Sequence, residues 1–90
     1  MLETNLKVIN PLGLHARAAA QLVKLANSFN SEIRLTRTDN LVIADAKSIL
    51  SVLTLAAGKG VELKLTVEGS DEKQAFEAIK EIFRKGFGEI

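Results

Sequence analysis

Ninety residues with 47% hydrophobic and 26% charged side chains and a formal net charge of +1 form a globular composition, long enough to bury a modest core as one domain (residues 1–90) without a metal or a cross-link. The near-neutral charge gives no basic field for a nucleic acid, and four Phe with no Tyr or Trp leave little surface on which bases could stack. No cysteine and a single histidine exclude a disulfide framework and the usual zinc constellations, so neither metal nor cofactor is expected, and a reducing cytoplasm suits the chain.

The opening segment, Met1-Leu2-Glu3-Thr4-Asn5-Leu6-Lys7, has an early acid and polar interruptions where a signal peptide needs a basic start and an unbroken apolar stretch. No apolar run reaches the roughly 20 residues that span a bilayer, so direct membrane insertion is not expected. Leu6 and Val8 alternate with polar neighbours, which predicts a strand, and Asn10-Pro11-Leu12-Gly13 predicts a turn after it. A helix is predicted from Ala16, with Ala16, Ala19, Ala20, Val23 and Ala26 on its buried side and Arg17, Gln21, Lys24 and Ser28 on its wet side. Ile33 and Leu35 alternate with Glu32, Arg34 and Thr36; Thr38-Asp39-Asn40 interrupts, and Leu41-Val42-Ile43 resumes, a hairpin pattern.

After Asp45 the spacing of Ile49, Val52, Leu53 and Ala56 becomes helical, so a short helix follows Ser48, its N-cap, with Leu50 at the edge of the buried stripe. Gly58-Lys59-Gly60 lacks the flanking residues of a phosphate-binding loop and reads as a plain turn. Val61, Leu63, Leu65 and Val67 then alternate strictly with Glu62, Lys64, Thr66 and Glu68, as in an antiparallel strand with one wet face. The last segment puts Ala75, Phe76, Ile79, Ile82 and Phe83 on one helical stripe, with Ser70 or Asp71 as cap and Gly86 near the end. The order βαββαβα, with strands apolar on one face only, requires all three helices on that face. The expected fold class is α+β, a two-layer open-faced β-sandwich built on a four-stranded antiparallel sheet.

The one histidine, His15, lies in Gly13-Leu14-His15-Ala16-Arg17, directly ahead of the first helix. The first turn of a helix carries backbone N–H groups without intrahelical partners and a partial positive charge, so it favours an anion such as a phosphoryl group. A neutral imidazole offers a lone pair that attacks phosphorus, the N–H of Ala16 opens the helix, and Arg17 adds a planar donor fork for phosphate oxygens. Neither Ser48 nor Ser51 has a nucleophile-elbow setting with which His15 could form a hydrolytic triad.

Gly13-Leu14-His15-Ala16-Arg17 followed by an Ala-rich helix resembles the phosphorylation-site signature of HPr, the histidine-containing phosphocarrier family of the phosphoenolpyruvate-dependent sugar phosphotransferase system. Ala46-Lys47-Ser48-Ile49-Leu50 resembles the family's second signature, and Leu55-Ala56-Ala57-Gly58-Lys59-Gly60 and Gly69-Ser70-Asp71-Glu72 extend the likeness over nearly the whole chain. The resemblance implies the strand order first, fourth, second, third. It implies a relay and not a turnover enzyme: Nδ1 of His15 takes a phosphoryl group from a phosphohistidine on Enzyme I and passes it to an Enzyme II component, with Arg17 and the N–H groups starting the helix, that of Ala16 among them, holding its oxygens. Docking is implied at Ile49, Leu50 and Leu53; Ile49 and Leu53 also fit the core stripe and are read as buried, which leaves Leu50 as the contact. Ser48 matches the serine that HPr kinase modifies in some bacteria, which adds a kinase or transcriptional regulators to the implied partners.

The family pattern is broken by Ala18, where proline is usual, by Ser51, where glycine is common, and by a longer stretch from Thr38 to Asp45. These departures admit a second reading as a regulatory HPr-like paralogue of a nitrogen-type or carbon-control branch, although retention of His15 favours phosphotransfer. A small acylphosphatase-like enzyme is a third reading, without the anion-cradling loop it would need.

Overall fold

In the computed structural model, which describes residues 1–90, the chain runs β1 (Leu2–Lys7), α1 (Ala16–Ala26), β2 (Glu32–Arg37), β3 (Ile43–Asp45), α2 (Ile49–Thr54), β4 (Glu62–Glu68) and α3 (Glu72–Arg84). The strands form one antiparallel sheet in the order β1-β4-β2-β3. Strict alternation makes β4 the backbone of the core: Leu63, Leu65 and Val67 are buried, while Glu62, Lys64 and Glu68 face water. Register sets Leu6 opposite Leu63 on one side, and Leu35 opposite Leu65 and Ile33 opposite Val67 on the other, which builds one apolar floor. The three helices cover that floor, giving the α+β open-faced sandwich expected from the patterning.

The buried face of α1 is Ala18, Ala19, Leu22 and Ala26, rotated from the predicted stripe; Ala16 and Ala20 are exposed and Val23 is half-buried. Leu22 decides the rotation, because it has far more apolar surface to remove from water than any alanine, and a solvated alanine methyl costs little. The hairpin also differs from expectation. Leu41, Val42 and Ile43 are exposed, and the inward residue of β3 is Ala44, opposite Leu35. Backbone bonds from Leu41 N–H to the Arg37 carbonyl and from Arg37 N–H to the Val42 carbonyl place Leu41 and Val42 in the turn. The Arg37 guanidinium reaches across to the carbonyls of Leu55 and Ala56 at 2.9 and 3.0 Å, fastening the hairpin to the end of α2.

Ala75, Ile79 and Phe83 form the buried stripe of α3, with Phe76 and Ile82 packed half-buried beside it. Asp71 stands at the N-cap position, but its side chain does not cap its own helix. Its carboxylate accepts instead from the backbone N–H groups of Asn30 (2.8 Å) and Ser31 (2.9 Å) and from the Ser31 hydroxyl (2.5 Å), tying α3 to the entrance of β2. The carboxylate of Glu72 reaches back to accept from Gly69 N–H at 3.2 Å, which steadies the turn leading into α3.

Candidate functional site

The site begins with a turn. Gly13 N–H donates to the Asn10 carbonyl at 3.1 Å, with Pro11 at the second turn position, where its fixed φ fits. Gly13 has φ +66, and a Cβ there would lie 2.6 Å from the Ala57 carbonyl oxygen and 2.7 Å from Gly58 Cα, so only glycine allows this approach. The next N–H, of Leu14, donates to the same Ala57 carbonyl at 2.9 Å, and the Leu14 side chain is buried. The start of α1 is thereby clamped against the loop that leaves α2.

His15 enters α1 in extended conformation as its N-cap residue, and its side chain makes no capping bond. The first intrahelical bond runs from Ala19 N–H to the His15 carbonyl, which leaves the N–H groups of Ala16, Arg17 and Ala18 without intrahelical acceptors. Alanine at position 18 therefore contributes a donor that proline would lack. Arg17 is exposed and in no ion pair, and it borders a shallow depression of about 370 Å³ that Pro11, Leu12, Phe87, Gly88 and Glu89 also line. His15 and Arg17 thus flank one open helix end.

A residue that sequence reasoning missed meets His15 there. Nε2 of His15 lies 2.5 Å from Oε2 of Glu89, with the two side chains 27% and 21% exposed, and Nδ1 makes no hydrogen bond. The other oxygen of Glu89 accepts from Nδ2 of Asn10 at 3.2 Å and from Leu12 N–H at 3.5 Å. The hydrogen bond with His15, followed by those from Asn10 and Leu12, holds the Glu89 carboxyl below the usual carboxylate range. Asn10 is fully buried and also donates to the Gly13 carbonyl at 2.8 Å, so one amide joins the turn to the acid. Glu89 is delivered by Gly86-Phe87-Gly88, whose φ values of 58, 55 and 78 are all left-handed. Phe87 is anchored in that unusual conformation by burial and an edge-to-face contact with Phe83 at 5.0 Å. Gly86-Phe87-Gly88-Glu89 after α3 is the available signal, of which the sequence pattern uses only Gly86, as a helix end.

The profile of the family described as "PTS HPr component phosphorylation site" matches residues 2–85. This chain belongs to the HPr family. It is 44% identical to the phosphocarrier protein HPr of Cupriavidus necator over 89 residues, covering 99% of this chain and 98% of that one. The HPr of Treponema pallidum is also 44% identical, with 99% of each chain covered. Among solved structures, an HPr from Thermoanaerobacter tengcongensis superimposes with a TM-score of 0.93 at 36% identity, covering 100% of this chain and 99% of that one. As a member of the HPr family the chain is a phosphocarrier of the phosphotransferase system, and none of its helices is long and apolar enough to cross a membrane.

The second HPr-like signature opens α2. Ser48 is its N-cap, the hydroxyl accepting from Ser51 N–H at 3.3 Å, and Ser51 uses its own hydroxyl to accept from Asp45 N–H at 2.8 Å. Val52 and Leu55 fill the core here, whereas Ile49 (39%), Leu53 (38%) and Leu50 (75%) are exposed. The expectation that Ile49 and Leu53 are buried is therefore corrected: the short helix has more apolar side chains than its single inward face holds. Asn27 Nδ2 donates to the Lys47 carbonyl at 3.1 Å and Lys47 Nζ to the Phe29 carbonyl at 2.7 Å. Ser48 thus follows a residue held against the C-terminal end of α1, whereas His15 opens that helix.

Proposed function

We propose that the chain relays phosphoryl groups: His15 takes one from a phosphohistidine of Enzyme I and hands it to an Enzyme II component of the sugar phosphotransferase system. The observation that carries this reading is the half-exposed ring of His15, its Nδ1 unbonded, at a helix start where the N–H groups of Ala16, Arg17 and Ala18 have no intrahelical acceptor. Donors already in place need no rearrangement when negative charge arrives. Arg17, unpaired and at the rim, supplies two parallel N–H groups to the phosphoryl oxygens.

The shallow depression at the site suits a relay. A phosphoryl group that must pass between two partner proteins has to stay accessible to both, and a few exposed anion contacts hold it without making it a sink. No cofactor is needed. Leu50, Ile49 and Leu53 form the docking surface, their exposure giving them apolar area to bury against a partner. One contiguous core of 20 buried residues supports treating residues 1–90 as a single HPr-like domain. The absence of cysteine fits a cytoplasmic setting, and Ser48, with its hydroxyl at a helix start, is the site where an HPr kinase or a regulator would act.

The test is to mix the protein with phosphoenolpyruvate and Enzyme I and follow intact mass. One phosphoryl group should be added, labile in acid and stable in base as a phosphoramidate is, and His15→Ala should abolish it. No addition, or equal addition to the alanine variant, overturns the reading.

A further inference from the structure

We propose that Glu89 is the positioning residue for His15: it fixes which ring nitrogen is free to attack and neutralises the ring once that nitrogen carries phosphorus. The inference rests on the phosphocarrier reading and deepens it.

A neutral imidazole has one N–H and one lone pair. An ionised carboxylate only accepts, so a carboxylate oxygen 2.5 Å from Nε2 requires the proton to be on Nε2. The lone pair is then on Nδ1, the nitrogen without a hydrogen bond. The hydrogen bond with His15 holds the Glu89 carboxyl below the usual carboxylate range, so Glu89 is the acceptor and not the donor in this contact.

The contact gains importance during transfer. As Nδ1 attacks, the Nδ1–P bond forms while the bond between phosphorus and the donor histidine nitrogen breaks, its electron pair staying with the donor. The Nε2 proton remains on His15, so the phosphorylated ring is formally cationic. Glu89 is already in contact with the cationic edge, and no group has to move to meet the new charge. Transfer onward reverses the sequence, the Nδ1–P electron pair returning to the ring as the acceptor nucleophile bonds to phosphorus.

Glu89 is fixed from two directions. Asn10 and Leu12 hold its second oxygen, and the left-handed Gly86-Phe87-Gly88 turn, anchored by Phe87, sets its backbone. Asn10 pays for its part, since its buried Oδ1 has no partner, a cost that core packing alone gives no reason to keep.

Two measurements test the proposal. The first is proton NMR of the unphosphorylated protein: the Hε2 proton of His15 should appear as a downfield, slowly exchanging resonance in wild type, weaken in Glu89→Gln and vanish in Glu89→Ala. Its absence from wild type overturns the proposal whatever the kinetics show. The second is transfer from Enzyme I, where Glu89→Gln should lower the rate at saturation by about tenfold, the scale of one charge-assisted hydrogen bond, with KM for Enzyme I unchanged. Circular dichroism matching wild type shows that the variants are folded, and Glu89→Asp should recover part of the rate. If wild type is phosphorylated on His15 and Glu89→Gln and Glu89→Ala both transfer at its rate, the role of Glu89 is overturned and the phosphocarrier reading stands. If wild type itself takes no phosphoryl group, both fall.

Discussion

Arg17 has no partner in the unphosphorylated protein, so the contribution to transfer proposed for it is separable from any contribution to folding. Arg17→Ala should melt within a degree or so of wild type, as surface substitutions away from structural features do, yet slow the relay markedly; unchanged transfer kinetics would make it an ordinary surface charge. Gly13 behaves oppositely. Gly13→Ala puts a methyl group against backbone atoms of Ala57 and Gly58 and forces a left-handed φ on alanine, so it should cost about 1–3 kcal/mol and disturb the entry to α1. Chemical denaturation reads the first effect and phosphoryl transfer the second. His15 and Arg17 were legible as candidates because their chemistry is written in one contiguous run of sequence. Glu89 was not, since its partner lies 74 positions earlier in the chain and no spacing rule links an acid that follows a left-handed turn to a distant helix start.

Among the elements, α2 shows how cap and surface divide their work. Ser48→Ala removes the hydroxyl that accepts from Ser51 N–H and should lose about 1 kcal/mol in thermal or denaturant unfolding. Ser48→Asp keeps an acceptor and adds charge where a helix start welcomes it, so its melting transition should match wild type. The charge lies by the end of α1 opposite to His15, and salt screens an exposed charge over about 8 Å. Its effect should therefore appear as a raised KM for Enzyme I, through the apolar surface around Leu50, with the saturated rate intact; a fall in that rate alone would contradict docking as the route. The patterning of β4 and α3 was easy to read because each has enough residues for a period to repeat. In α2 six residues hold too little of a period to tell Ile49 and Leu53 from Val52, and in α1 an excess of alanine blurred which face Leu22 would turn inward.

For the molecule as a whole, Asp71 joins α3 to the strand layer, and hydrogen bonds from the Ser31 hydroxyl and from Asn30 N–H hold its carboxyl below the ordinary range. A carboxyl depressed on folding contributes stability fully above its unfolded value of about 3.9 and loses it as pH falls through the lower folded value. Asp71→Asn should accordingly melt below wild type at neutral pH, with the gap closing in acid; a constant gap in melting temperature from neutral pH to acid would remove the charge from the explanation. The layer architecture followed from one-faced strands alone, whereas the strand order came only with the family resemblance, because alternation says which way a side chain points and not which strand lies beside it. That order has a consequence for synthesis on the ribosome. The only strand that pairs with β1 is β4, so the residues of β1 must wait for the sixties to emerge before they join a sheet. The acid that meets His15 is made more than seventy residues after it. A nascent chain halted anywhere before Glu89 displays the histidine without its counterpart, and the two halves of the site become one only after all four strands and all three helices have been translated.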